Sequence, residues 1–342
     1  MSLRLKLTRP LFAVAFAAVA TTTIYAQNIT IRLATVVPAN SSWHKALLDM
    51  GAAWTKETSG RVTLRVYEGG TQGDERTVIR LMRPGVDQLQ ASLIMITGLG
   101  ELDEAFNVFG MPFFFQTDAE AEHVRTKLAP AFEKRLDAKG FKFLAWGSGG
   151  WVQLFSKMPI KTLDDVKKSK LYTSQGDDKM VQWYKGNGFN PVALSSNDIP
   201  AQLKLGTGMI NATPMPPYPA LVLQIFQDAK YMLDIRLAPL LGAVIVSNNA
   251  WNKISAEDKT KIMAAAKAFE TRMNSEAPAL DASSLKTMTS RGLTVTTTDP
   301  KALAEFRAAA EKLVASSRGT MVPADIFDQA VQERDAFRKT KK

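Results

Sequence analysis

Asp164-Asp165-Val166-Lys167-Lys168-Ser169-Lys170-Leu171-Tyr172-Thr173-Ser174-Gln175 is followed by Gly188-Phe189-Asn190-Pro191-Val192 and then by Gln202-Leu203-Lys204-Leu205-Gly206-Thr207-Gly208-Met209-Ile210-Asn211. The acid pairs Asp164-Asp165 and Asp177-Asp178 are sequence neighbours that point in different directions, so they suit helix N-termini, where the helix dipole favours negative charge. Asp177 to Lys185 reads as a helix, Asn190 to Leu194 as a short strand and Asp198 to Leu205 as another helix. Such alternation marks an α/β protein.

The preceding sequence has the same character. Ile29 to Val36 alternates as a first strand, Pro38 to Ser42 reads as a loop and cap, and Trp43, Leu47, Met50 and Trp54 recur at helical spacing. Val62 to Tyr67 is a second strand and Glu75 to Met82 a second helix, a succession that predicts a parallel-type sheet. Leu89 to Ile96 reads as a buried strand, Ala119 to Lys139 as an amphipathic helix and Phe141 to Trp146 as a further strand. Gly147-Ser148-Gly149-Gly150 then offers the backbone freedom of a hinge.

Beyond the quoted block, Leu240 to Ser247 reads as a strand returning to the first lobe. Ala256 to about Thr287 is an unusually long helical stretch, about 45 Å at 1.5 Å per residue, long enough to brace two lobes. Leu293 to Thr297 and the helices Pro300 to Ser317 and Pro323 to Lys339 follow. The expected organisation is a signal peptide at 1–26, domain I at 27–147 plus about 238–270, and domain II at 148–237 plus about 271–342.

The leader reading rests on Arg4, Lys6 and Arg9, the apolar run Leu11 to Ala20, and Ile24-Tyr25-Ala26 before a cut. The apolar run is shorter than the roughly 20 residues a membrane-spanning helix needs. A cleaved leader implies a periplasmic protein. The 342 residues contain no cysteine, which removes disulfides, thiolate nucleophiles and Cys-ligated metals. The net charge of +10 includes the three leader cations; the rest are spread along amphipathic stretches. That distribution suits solubility and attraction of anionic solutes, not nucleic acid.

Catalytic chemistry finds little support. Only two histidines occur, His44 and His123, each at a helical position suited to packing or the surface. Gly69-Gly70, Gly73 and Gly98-x-Gly100 lack the context of a phosphate-binding fingerprint. No catalytic residue, metal or cofactor is expected, and a two-lobed clamp that closes on a small solute fits better.

The quoted block resembles the substrate-binding proteins of tripartite ATP-independent periplasmic (TRAP) transporters, the DctP-like family. Its pattern reads roughly D-L-K-G-x-K-[IL]-R, then G-A-x-P-V, then A-L-x-x-G-x-[VI]-D-G. Gly73-Asp74-Glu75-Arg76, Phe106 to Phe113 (family F-x-V-x-x-L-P-[FY]) and Val246 to Trp251 match further motifs in order. The resemblance implies a type II-like periplasmic binding protein fold. It also implies delivery of a small organic solute to a small and a large membrane subunit.

In the family, a strand arginine grips the ligand carboxylate through a bidentate guanidinium. Tyr172 stands in its place, and no arginine occurs between Arg135 and Arg236. A second family arginine falls where Trp151 or Val152 stands, an acidic pocket residue matches Leu93, and a pocket asparagine matches Met215. These replacements imply a neutral, apolar or aromatic ligand. The expected pocket has Trp151 and Tyr172 stacking on it, Phe113 and Met215 walling it, and Gln175, Ser92, Ser196 and Asn211 orienting its polar groups. Asp74 would take a hydroxyl or amine. An acid-binding receptor using Lys170, Lys179 or a bound cation is the alternative, as is a receptor that presents ligand to a membrane sensor; an enzyme built on the clamp ranks last, and a monomer is expected.

Overall fold

The structure, a computed structural model, describes residues 28–341, so the expected leader lies outside the described residues. In chain order the elements are β1 (Ile29–Ala34), α1 (Ser42–Glu57), β2 (Val62–Tyr67), α2 (Glu75–Met82), β3 (Ala91–Met95), α3 (Ile96–Leu102), α4 (Asp118–Ala138) and β4 (Phe141–Trp151). Next come β5 (Gln153–Ser156), α5 (Leu163–Lys168), β6 (Lys170–Ser174), α6 (Asp178–Gly186), β7 (Asn190–Leu194), α7 (Ile199–Lys204), β8 (Ala212–Met215), α8 (Pro217–Val222) and β9 (Tyr231–Leu233). The last are β10 (Pro239–Ser247), α9 (Asn248–Asn252), α10 (Ala256–Ser290), β11 (Thr294–Thr296), α11 (Pro300–Ser317) and α12 (Ala324–Thr340).

Alternating apolar residues build β1, where Ile31 and Leu33 are fully buried, and hydroxyl or carboxylate caps start the helices that follow. Ser41 accepts the His44 N–H at 3.2 Å ahead of α1, and Asp74 accepts the Thr77 N–H at 2.9 Å ahead of α2. Each cap satisfies a donor that the first helical turn leaves free.

The strands form two sheets, ordered β2-β1-β3-β10-β4 and β11-β9-β5-β8-β6-β7. In the first, β2 and β3 run parallel to β1, while β10 returns antiparallel between β3 and β4. In the second, β6 runs parallel to both β7 and β8, and β5 is antiparallel to β8 and β9. Each sheet has an apolar core on both faces. This is the expected two-lobed α/β clamp of the type II-like periplasmic binding protein class.

The long helix is longer than its sequence reading and spans both lobes. Ile262, Ala266, Phe269 and Met273 of α10 pack into the first lobe, and Leu285 and Met288 into the second. Its 35 residues extend about 52 Å. The hinge lies where β4 passes into β5: Val152 donates its N–H to Ala238 at 2.9 Å and accepts from Leu237 N–H at 2.9 Å, so the two crossing segments are laced together. Of the expected hinge glycines, Gly147 and Gly149 lie within regular β4, whereas Gly150 takes a φ of 90°.

The C-terminal helices part company. Phe306 of α11 joins the second lobe's core, but Ile326, Phe327 and Ala330 of α12 pack with Val124, Leu128 and Phe132 of α4 in the first. The expected boundary places all of 271–342 in domain II; because the apolar stripe of α12 is buried against α4, the division we propose assigns α12 to domain I.

Candidate ligand-binding cleft

On the second lobe the cleft floor follows from strand register. Gln153 pairs with Met215 and Phe155 with Thr213 between β5 and β8, while Tyr172 pairs with Val192 between β6 and β7. Alternate residues face the same way along a strand. Tyr172 therefore shares a face with Phe155 and Met215, and all three belong to one apolar cluster with Ile199 and Leu203 of α7.

Burial pushes the Tyr172 phenol well above its ordinary range; the neighbouring Ser174 opposes this, and the carboxylates of Glu75 and Asp198 add to it. A phenol so placed stays protonated and donates or accepts without charge.

Glu75, in the first turn of α2, supplies the facing wall from the first lobe. Its Oε1 accepts the Met95 N–H at 2.5 Å and its Oε2 the Thr97 hydroxyl at 3.0 Å, which ties α2 to the end of β3. Desolvation raises its carboxyl above the usual range, against the pull of these hydrogen bonds.

The rims of the lobes meet. The Asn197 side chain lies so close to Gly70, at φ 70°, that a Cβ there would collide with it. Gly176 is approached in the same way by Glu101 and Arg76, and Lys179 pairs with Glu104 while donating to the Thr320 carbonyl at 2.6 Å. At the inner edge, the Ser42 N–H donates to the Tyr218 hydroxyl at 2.7 Å, and the Tyr218 ring meets Trp43 edge-on at 5.0 Å.

The structure brings together only part of the expected pocket. Tyr172 and Met215 share the floor, Gln175 is exposed at the cleft end of β6, and Ser196 follows β7 beside Asn197. Trp151 does not join them. Its Nε1 donates to Asp118 at 2.7 Å, its backbone N–H donates to Asp281 at 3.1 Å, and the Arg236 guanidinium covers its ring at 4.0 Å. The side chain packs in the first lobe's core.

Phe113 is displaced as well. It lines a separate apolar hollow with Leu171, Trp183, Phe189 and Phe306, on the face of β6 opposite Tyr172. Asn211 lies just before β8, at the end away from Met215. Its side chain accepts the Lys170 N–H at 2.7 Å at the start of β6, about 13 Å of strand from Met215.

Three first-lobe candidates are committed to the fold. Leu93 faces the core that holds Val244 and Phe269; the Ser92 hydroxyl donates to the Ala34 carbonyl at 2.8 Å; and Asp74 is the α2 cap. Of the alternative cations, Lys179 is engaged at the rim and Lys170 is exposed at the far end of β6.

Sequence reasoning missed Glu75, Ser174 and Gln153. Glu75 lay inside the quoted Gly73-Asp74-Glu75-Arg76 motif, and strand alternation from Tyr172 would have given Ser174. Gln153 needed the β5–β8 register, which carries no local signal. Among the described residues, no group of three or more His, Cys, Asp or Glu could hold a metal ion, and no helix is long and apolar enough to cross a membrane.

Residues 33–319 match the family profile of the bacterial extracellular solute-binding proteins, family 7 (DctP). The C4-dicarboxylate-binding periplasmic protein DctP of Rhodobacter capsulatus is 25% identical over 292 residues, covering 84% of this chain and 85% of its own. Among solved structures, the Bordetella pertussis extracytoplasmic solute receptor DctP7, which binds pyroglutamic acid, superposes with a TM-score of 0.82 at 20% identity, covering 90% of this chain and 99% of its own. A TRAP periplasmic solute-binding protein of Haemophilus influenzae with bound L-gulonate gives 0.81 at 21% identity, over 90% of this chain and 99% of its own.

Proposed function

Because the chain belongs to family 7 of the bacterial extracellular solute-binding proteins, we propose that it closes on a small, uncharged, hydrogen-bonding solute and delivers it to the membrane subunits of a TRAP-type importer. It is a receptor, not an enzyme. Ligand contacts from both lobes would favour the closed form, by no more than the difference in affinity for the open and closed states.

One observation carries the reading of ligand class: the half-buried phenol of Tyr172 stands in the resemblance's arginine position, with Glu75 and Asp198 as its charged neighbours. A carboxylate placed there would forgo a charge-assisted hydrogen bond of about 1.5–3 kcal/mol and face two like charges. With Trp151 and Phe113 directed elsewhere, aromatic stacking loses its support, and hydroxyl or amide chemistry suits the remaining groups better.

A second reading, a sugar-acid ligand, draws on the solved relatives that hold L-gulonate and β-D-galacturonate. Titration calorimetry with matched pairs separates the two: D-galactose against D-galacturonate, and pyroglutamate amide against pyroglutamate. Binding of the uncharged member of a pair at least tenfold more tightly is expected. Preference for the acids would discard the neutral-ligand reading in favour of the sugar acid.

A further inference from the structure

Gln153 is the first residue of β5 after the hinge, paired with Met215 and two residues from Phe155. Met215 and Phe155 both pack in the cluster that holds Tyr172, so alternation places Gln153 on that face, at the end of the floor nearer the hinge. The side chain is half-buried, and its Oε1 is buried without a hydrogen-bond partner. Exchanging the two ends of the amide would still leave a buried polar atom unmatched.

A native fold rarely leaves a buried amide oxygen unmatched unless something else completes it. Neighbouring groups do not. Met215 across the ladder is apolar, and the Trp151 N–H, two residues back, is taken by Asp281. The amide carries no charge, so it neither attracts nor repels an ion strongly; it selects for a group with a donor beside an acceptor.

We propose that Gln153 is a specificity-determining residue of the cleft: its amide accepts a hydroxyl or amide N–H from the solute and donates to an adjacent solute oxygen. This rests on the clamp-receptor reading above and adds to it the residue that reads the uncharged end. Tyr172 and Ser174 would meet the solute beside it, and Met215 would pack against its carbon skeleton. A site built to bond a donor rejects an analogue that lacks it far more strongly than an apolar wall can.

The test compares wild type with Gln153→Met, which keeps the length and removes the amide, and Gln153→Glu, which keeps an acceptor. The first measurement is thermal unfolding without added solute. Gln153→Met should unfold at the same temperature as wild type or a few degrees higher, since it removes an unmatched buried group. A fall of several degrees would mean the amide is bonded within the protein and would overturn the proposal.

The second measurement is calorimetry with D-galactose, 2-deoxy-D-galactose, pyroglutamate amide and the two acids. For the tightest-binding probe, Gln153→Met should weaken affinity roughly tenfold or more and flatten the preference for the hydroxylated or amide-bearing member of the set. Gln153→Glu should recover part of the affinity for a donor-bearing probe. Unchanged affinity and preference in Gln153→Met would overturn the proposal. If wild type prefers the acids, the neutral-ligand reading fails on its own, and the unfolding comparison still decides whether the amide is unmatched.

Discussion

The carboxylate of Asp281, on α10, accepts the Tyr218 backbone N–H at 3.0 Å with one oxygen and the Trp151 backbone N–H at 3.1 Å with the other. Tyr218 reaches on to Ser42 at the start of α1, so one side chain on the long helix ties the hinge, the start of α8 and, through a phenol, the opposite lobe. Asp281 also sits against Gly150, leaving no room there for a Cβ.

Burial raises the Asp281 carboxyl from 3.8 to about 6; Asp118 adds to the rise, while its two backbone hydrogen bonds and Arg236 oppose it. A carboxyl whose folded value is raised holds its proton in the native state after the unfolded chain has lost it. Its contribution to stability is therefore fully present below about pH 4 and lost as the pH rises through about 6. The difference in unfolding temperature between wild type and Asp281→Asn should move against wild type as the pH goes from 4 to 7. A difference constant over that range would refute the assignment.

Tyr218→Phe removes the acceptor of the Ser42 N–H while keeping the ring edge against Trp43. A cost of about 0.5–1.5 kcal/mol to the closed arrangement is expected. Small-angle scattering without solute should give a larger radius of gyration for the variant than for wild type.

Tyr172→Arg returns a guanidinium to the floor between Glu75 and Asp198. A forked contact should bring D-galacturonate binding into measurable range, with a gain of about 1.5–3 kcal/mol over wild type. Calorimetry reads this directly. Should acid affinity stay unchanged in a folded variant, Tyr172 would not be the group that meets the solute.

Gly150→Ala places a methyl group at a φ of 90° and against the Asp281 carboxylate. Backbone strain and displacement of a buried hydrogen-bonded group should together destabilise by more than about 1 kcal/mol. Gly140→Ala, at the same φ but with open space around it, should cost less by chemical denaturation. Equal losses would show that contact with Asp281 has no effect.

Phe269 joins α10 to the first lobe's sheet and is 3% exposed. Truncation to alanine should cost about 3–5 kcal/mol in denaturant unfolding, the range for an aromatic removed from a packed core.

Much of the fold was legible because its signals are local. Val62 to Tyr67, Glu75 to Met82, Asn190 to Leu194 and Pro300 to Ser317 have the bounds their periodicity gives, since propensity, capping and apolar spacing agree there. Short elements such as β5, β8 and β9 escaped notice. Three or four residues contain too few periods to stand out, and only pairing across the sheet defines them.

The candidate cleft was less legible. Tyr172 and Met215 could be found from position in a motif, whereas Trp151, Phe113 and Asn211 had suitable chemistry but faced elsewhere. The amino-acid order by itself determined the α/β character, the long brace, the absence of thiol chemistry and the neutral residue at the centre of the floor. Those properties depend on residue type and near-neighbour spacing. Tertiary structure alone decided which side chains share the crevice, that α12 returns to the first lobe, and that Asp281 holds the hinge. Direction on a strand and pairing between distant segments depend on register and packing, which no window of the chain contains.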